Sequence, residues 1–268
     1  MTKSTAPQII GVLNVTPDSF SDGGRFEDAA AAVRAGVALH EEGADLVDVG
    51  GESTRPGAEP VGVEEEQARV LPVIRELTAA GVPVSIDTMH AETALAAVQA
   101  GAVVINDVSG GLADPGMYRV AATSGVLYIA SHWRGPAETE VRYDDVVAEV
   151  RQDLKARLAE MIVSGMSPDQ VILDPGIGFA KRSKHNWTLL GHLPQLSTLG
   201  HPLVIGVSRK RFLGRLLASD AAVDERDLPT AVISALAASA GVWGVRVHDV
   251  PSTRIALAAW QSWQDGAR

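Results

Sequence analysis

Residues 83–107 read PVSIDTMHAETALAAVQAGAVVIND. Pro83–Asp87 is a short apolar run closed by an acid, Ala91–Ala100 is long and Ala-rich with helical patterning, Gly101 suits a left-handed helix end, and Ala102–Asp107 is a second apolar run. Strand, helix and strand in this order make a βαβ unit, and strands that are nearly all apolar are expected where both faces of a parallel sheet are covered. Working outward, the same alternation fills the chain. Further strands are predicted at Gln8–Asn14, Asp45–Gly50, Val126–Ala130, Gln170–Asp174, Pro202–Gly206 and Gly244–His248. Helices are predicted at Glu27–Glu42, Val63–Ala80 and Tyr143–Ser164, with Gly43, Gly81 and Gly165 as further left-handed ends. Eight such strands predict closure into an α/β protein, a single-domain (β/α)8 barrel of the TIM type over residues 8–263, with short tails at 1–7 and 264–268. An open doubly wound sheet would show a G-x-G-x-x-G turn after its first strand, and none follows Asn14.

The composition agrees with a globular class. Of 268 residues, 46 % are hydrophobic and 21 % charged, with 26 glycines and 14 prolines, which excludes disordered and fibrous chains. The absence of cysteine excludes a disulfide scaffold, a Cys-ligated metal and a catalytic thiol. A formal net charge of −10 repels nucleic acid and anionic membrane at long range, so neither is an expected partner, and an anionic ligand has to be met by local cations. Met1–Pro7 is polar and no secretion signal is read behind it, which sets the expectation of a cytoplasmic protein. The apolar stretch Ala231–Val245 is broken by Ser234, Ser239 and Gly241 and falls short of the ~20 residues of a membrane span. It reads as a buried helix running into a strand.

In a barrel of this kind the site lies past the C-terminal ends of the strands. Asp87, Asn106 and Asp174 each close an apolar run there. Each taken alone could be an ordinary helix cap, but three caps have no reason to converge, and three acceptor-rich side chains in one mouth suit a heterocycle carrying several N–H donors. The cations Arg55, Lys210 and Arg246, with His248, mark an anionic ligand. The helix N-terminus at Pro251-Ser252-Thr253 is a further candidate phosphate contact. Arg209 and Arg211 are read as facing solvent or neighbouring helices, and His40, His90, His185, His192 and His201 show no metal-ligand spacing. Asn14 could cap a turn or offer an amide oxygen to Mg2+. The loop Thr16–Gly24, with Phe20 as an apolar cover, has the composition of a lid.

Seven runs carry a family resemblance. They are NVTPDSFSDGG at 14–24, DVGGESTRPG at 48–57, SIDT at 85–88, NDVSGG at 106–111, LDPGIGF at 173–179, GVSRK at 206–210 and RVHDV at 246–250. In this order, spread over the whole chain, they resemble bacterial dihydropteroate synthases, and His132-Trp133-Arg134 with the Ala-rich helices resembles the actinobacterial members. The resemblance implies condensation of 6-hydroxymethyl-7,8-dihydropterin diphosphate with 4-aminobenzoate, giving 7,8-dihydropteroate and pyrophosphate, as a step of folate biosynthesis. It also implies Mg2+ as cofactor, sulfonamides as competitors for aminobenzoate, and a homodimer, for which Ala231–Ala240 is a candidate contact. Carried over by position, Thr54, Asp87, Asn106, Asp174 and Lys210 would hold the pterin, Arg246 and His248 the diphosphate, and Asn14 the metal. Phe20, Arg55, Pro56, Phe179 and Ser208 would form the aminobenzoate site, and Asp22 would lie near the reacting methylene. The groups expected to take part in catalysis are therefore Lys210, Asp22, Arg55, Arg246 and His248. Ser/His and Cys/His nucleophile arrangements are not read in the sequence, which accords with a reaction through a dissociated pterin cation. A methyltransferase on the same pterin barrel would have no use for Arg55 or the 208–210 loop. Ala130-Ser131 stands where the family usually has a bulky pair, a departure that bears on the pocket wall.

Overall fold

The computed structural model describes residues 6–16, 25–52, 61–135, 139 and 141–267, with only the backbone of 25–28. Eight strands alternate with helices: β1 Gln8–Asn14, β2 Leu46–Gly50, β3 Val84–Asp87, β4 Val104–Asp107, β5 Leu127–Ser131, β6 Val171–Asp174, β7 Val204–Ile205 and β8 Gly244–Val247. The helices are α1 Arg25–Glu41, α2 Val63–Ala79, α3 Ala91–Gln99, α4 Met117–Ser124, α5 Val146–Val163, α6 Ser183–Gly191, α7 Leu193–Ser197, α8 Asp227–Ser239 and α9 Val250–Gly266. All strand pairs are parallel, in the order β6-β5-β4-β3-β2-β1-β8-β7. A single bridge between Leu173 and Leu203, with Leu173 N–H donating to Pro202 O at 2.9 Å, joins the outermost strands and closes the ring.

Most predicted boundaries move by one or two residues, and four of the shifts bear on the packing. β7 shrinks to two residues because Pro202 has no N–H to give a ladder and contributes only its carbonyl. The helix expected from Tyr143 starts at Val146, since the Asp145 carboxylate accepts from the N–H groups of Val147 and Ala148 and fixes the helix entry there. Tyr143 instead packs its ring against His185, with Arg134 4.7 Å from the ring centre. β5 runs on to Ser131 through its pairing with Asp174 on β6. Finally, α9 continues to Gly266, past the expected boundary at 263.

Successive strand residues point to opposite faces, so the core divides in two. Outward residues such as Val47, Ile86, Ile105, Tyr128 and Leu173 pack under the helices. Inward, Ile10, Leu46, Val104, Ile129, Ile172 and Val204 form a separate plug filling the barrel centre. Two residues further along each strand the same inward register delivers Val12, Asp48, Asn106, Ser131, Asp174 and Gly206. The apolar plug is thus the floor on which the polar mouth stands. Ile172→Ala is expected to lower the unfolding free energy by about 2–5 kcal/mol, read from the urea midpoint, because the close-packed ring around it cannot collapse into the space.

Candidate active site

Above the plug lies a cavity of about 730 Å3. Asn14, Asp87, Asn106, Asp174, Phe179, Ser208, Lys210, Arg246 and His248 all line it, so every described residue that the family resemblance named for substrate or metal is brought to one place. Phe20, Asp22, Thr54, Arg55 and Pro56, and most of the 16–24 lid, lie outside the described residues.

The centre of the mouth is a double ion pair. Arg246, from β8, donates through Nε to Asp48 Oδ2 and through Nη2 to Asp87 Oδ2, both at 2.6 Å. Asn106 Nδ2 donates to the same Asp48 oxygen at 2.9 Å. Asp48 is fully buried, and among the described residues its Oδ1 and the Oγ of Ser85, its register neighbour on β3, have no hydrogen-bond partner. Burial raises the pKa of Asp87 while Arg246 opposes the rise. Burial also works against the Arg246 charge, but Asp48 and Asp87 outweigh it and hold the guanidinium cationic. Arg246, expected beside a diphosphate, is therefore engaged by two carboxylates. Asp48 is a residue that sequence reasoning did not single out; its signal was an acid inside an otherwise apolar strand.

On the opposite wall, burial raises the pKa of Asp174, partly offset by Lys210, and its Oδ1 accepts from Gly176 N–H at 2.7 Å. This contact is a turn at the end of β6 and not a helix cap, since α6 begins only at Ser183; the convergence holds for this side chain and the capping alternative does not. Burial lowers the Lys210 ammonium to about 8, with Asp174 drawing it back up. Its Nζ donates to Ile177 O and lies 4.5 Å from the centre of the Phe179 ring. The preceding residue, Arg209, holds a left-handed backbone with φ 57°. Asp227 clamps its guanidinium through two bonds of 2.7 and 2.8 Å, and Arg226 Nη1 donates to its carbonyl, so Arg209 is held to the neighbouring helix, but it and Arg211 also line the cavity, which the sequence reading did not expect.

Two expectations need correction. The N-terminus of α9 is capped by its own chain, the Asp249 carboxylate taking Ser252 N–H, and Pro251 has no N–H, so that donor is not offered to a phosphate. A Ser/His contact does exist: Ser208 Oγ lies 2.8 Å from His248 Nδ1 and accepts the His248 backbone N–H at 3.1 Å. Forty residues separate the two in the chain, and only the adjacency of β7 and β8 makes the contact. Lys181 and Asn186 also line the cavity, and neither was singled out beforehand.

Residues 10–248 match the family described as "Pterin binding enzyme". The chain is 53 % identical to a dihydropteroate synthase of Mycobacterium leprae over 97 % of this chain and 95 % of that protein. The chain belongs to the dihydropteroate synthases of the pterin-binding enzyme family. Among solved structures, it resembles the Xanthomonas albilineans dihydropteroate synthase with 4-aminobenzoic acid (TM-score 0.91, 45 % identity, 97 % and 94 % of the two chains). It also resembles the Yersinia pestis dihydropteroate synthase in complex with a sulfonamide drug (TM-score 0.90, 35 % identity, 98 % and 96 %). The activity that goes with this membership is that of a dihydropteroate synthase, a transferase, and the family expectation drawn from the seven motifs stands.

Arg246→Met is expected to destabilise the fold by about 3–5 kcal/mol in urea unfolding, because it strands a buried Asp48 and its neighbour Asp87 without their counter-charge. Adding Asp48→Asn to that variant should restore a measurable part of the loss.

Proposed function

We propose that the cavity binds 6-hydroxymethyl-7,8-dihydropterin diphosphate and 4-aminobenzoate and joins them through a dissociative step. The observation that carries this reading is the gathering of Asp87, Asn106 and Asp174 with Lys210, Arg246 and His248 around one cavity. The three acceptor-bearing side chains match the amide and amino N–H groups of a pterin edge, and the cations match a diphosphate. Arg246 and His248 stabilise the charge that builds on the departing diphosphate as the bond between methylene carbon and oxygen breaks, the electron pair leaving with oxygen. The cation left on the methylene is delocalised into the dihydropterin ring. The aminobenzoate nitrogen then forms the new C–N bond and gives up one proton. An aniline is nucleophile enough for a cation, so a strong general base is not required. An anion that engages Arg246 also competes with Asp87 for the guanidinium, freeing that carboxylate for the pterin.

Ser208 and His248 are not read as a nucleophile and base. Ser208 Oγ is tied to both the backbone N–H and Nδ1 of the same histidine, a closed ring that fixes the imidazole. Phe179 and Ser208 are assigned to the aminobenzoate side.

The donor set also fits Mg2+. Asn14 brings an amide oxygen to the cavity that holds Arg246 and His248, and among the described residues there is no cluster of three His, Cys, Asp or Glu able to cage a metal. Mg2+ keeps several waters and takes much of its shell from substrate phosphates, so a site with few protein oxygens is compatible with it. When bound there, Mg2+ would neutralise diphosphate charge.

Sulfonamides are proposed as competitors at the aminobenzoate side. The chain is also proposed to act as a homodimer in the cytoplasm. Leu228, Val232 and Leu236 recur every four residues on α8 and are 71, 51 and 65 % exposed, and Ile255 on α9, the helix packed against α8, is 66 % exposed. An apolar stripe of this kind is the surface that a second copy would cover. Among the described residues no helix is long and apolar enough to cross a membrane.

Purified protein with Mg2+ and dihydropterin diphosphate should release pyrophosphate only when 4-aminobenzoate is added, and sulfamethoxazole should suppress the release. Lys210→Ala should abolish pterin diphosphate binding in calorimetry, and Asn14→Ala should raise the Mg2+ concentration needed. Benzoate-independent release would sink the reading. Light scattering should give twice the 28.1 kDa chain mass, and Leu236→Glu should halve it; an unchanged mass would place the contact elsewhere.

A further inference from the structure

The segment between β6 and α6 curls tightly. Gly176 has φ 66° and a Cβ there would meet His132 O at 2.0 Å; Gly178 has φ 86° and a Cβ there would meet Lys210 Cδ at 2.7 Å. The loop thus threads between the end of β5 and the Lys210 side chain, a passage open only to glycine. Ala180 adopts φ 47° without being glycine, which persists only where the surroundings over-determine the backbone.

Lys181 supplies that determination. Its Nζ lies 2.9 Å from Gly176 O, 3.2 Å from Phe179 O and 2.9 Å from His132 Nδ1. Three acceptors match the three donors of an ammonium. His132 is buried, and its Nε2 lies 3.0 Å from Asp153 Oδ2 on α5, which also accepts from Arg134. A carboxylate on Nε2 keeps the ring proton there and leaves Nδ1 as the acceptor that Lys181 needs. From the other side Asn186 Oδ1 accepts Gly178 N–H at 2.9 Å. The curl lines the cavity with Gly178, Phe179 and Lys181, and its Ile177 carbonyl holds Lys210 Nζ, which lies over the Phe179 ring.

We propose that Lys181 is a positioning residue for the condensation: held by His132 and Asp153, it ties the carbonyls of Gly176 and Phe179 into one curl and so sets the Phe179 side of the aminobenzoate site. The inference rests on the proposed reaction for its kinetic part and on the fold alone for its structural part. Burial takes the Lys181 pKa down to about 7, against the pull of Asp174. The side chain faces Asp174 from β6, Lys210 beyond β7, Arg134 beyond β5 and Asp153 from α5.

Lys181→Met is the direct test, with hydrogen exchange on the ligand-free protein and steady-state kinetics side by side. The expected result is at least tenfold faster exchange in peptides covering 176–181, and an aminobenzoate KM raised tenfold or more with kcat within about threefold. Asp153→Asn, on a side chain about one-third exposed, keeps the inference testable should the first variant fail to fold. It should raise the aminobenzoate KM severalfold, and the His132 15N spectrum, with a protonated Nε2 in the parent protein, should change. Unchanged exchange and KM in Lys181→Met would overturn the inference, as would a fall in kcat alone with the loop unaltered, which would make Lys181 a catalytic residue. If the parent protein showed no benzoate-dependent pyrophosphate release, the proposed function would fail while the exchange result still judged the curl.

Discussion

The Arg246 guanidinium bound between Asp48 and Asp87 is the constraint on which the mouth of the barrel depends. A chain of net charge −10 places several carboxylates in a space floored by Ile10, Leu46, Val104, Ile129, Ile172 and Val204, where an unpaired charge is costly. The guanidinium reaches from β8 past β1 to β2 and β3 and gives each acid a bond of 2.6 Å. Because Asn106 shares the Asp48 oxygen, the amide on β4 is oriented by the same group. Four strands are thereby tuned to one cation, and their side chains are arranged before any ligand enters.

The other half of the mouth rests on backbone held in sparsely populated conformations. Ala180 and Arg209 are the two described non-glycine residues with positive φ, and each immediately precedes a lysine of the cavity, Lys181 and Lys210. Both are clamped from outside the loop they belong to. Asp227, Arg226 and Thr230 at the start of α8 hold the Arg209 turn, while His132 and Asn186 hold the curl that contains Ala180. Local strain in one loop is thus met by helices and strands distant in the chain, as is common at binding sites. It also means that α8, whose outer face carries exposed leucines, is in direct contact with the turn that presents Lys210.

The barrel was legible because its signals are local. A short β-branched run, a helix of the right length and a glycine at its end each report on a few neighbouring residues, and eight repeats leave few topologies. Asp87, Asn106 and Asp174 could be chosen for the same reason: the end of an apolar run marks the rim. Asp48 was passed over because it lies inside a run, where its inward orientation shows only once the strand alternation is fixed. Lys181 was passed over because nothing in GFAKRS at 178–183 says that its side chain turns back under the loop instead of out into solvent. The Ser208–His248 contact and the Asp249 cap were misjudged on the same ground, since each depends on where a side chain turns in three dimensions.

The sequence by itself determined the period of the elements, their number, the family they belong to and the ring of polar residues at the strand ends, because hydrophobic periodicity and motif order are written in chain order. The tertiary structure alone decided which charges meet. Arg246 and Asp48 are 198 positions apart, and Lys181 and His132 49. A hydrogen bond forms only over about 3 Å, so partners so far apart in the chain are chosen by the closure and register of the barrel.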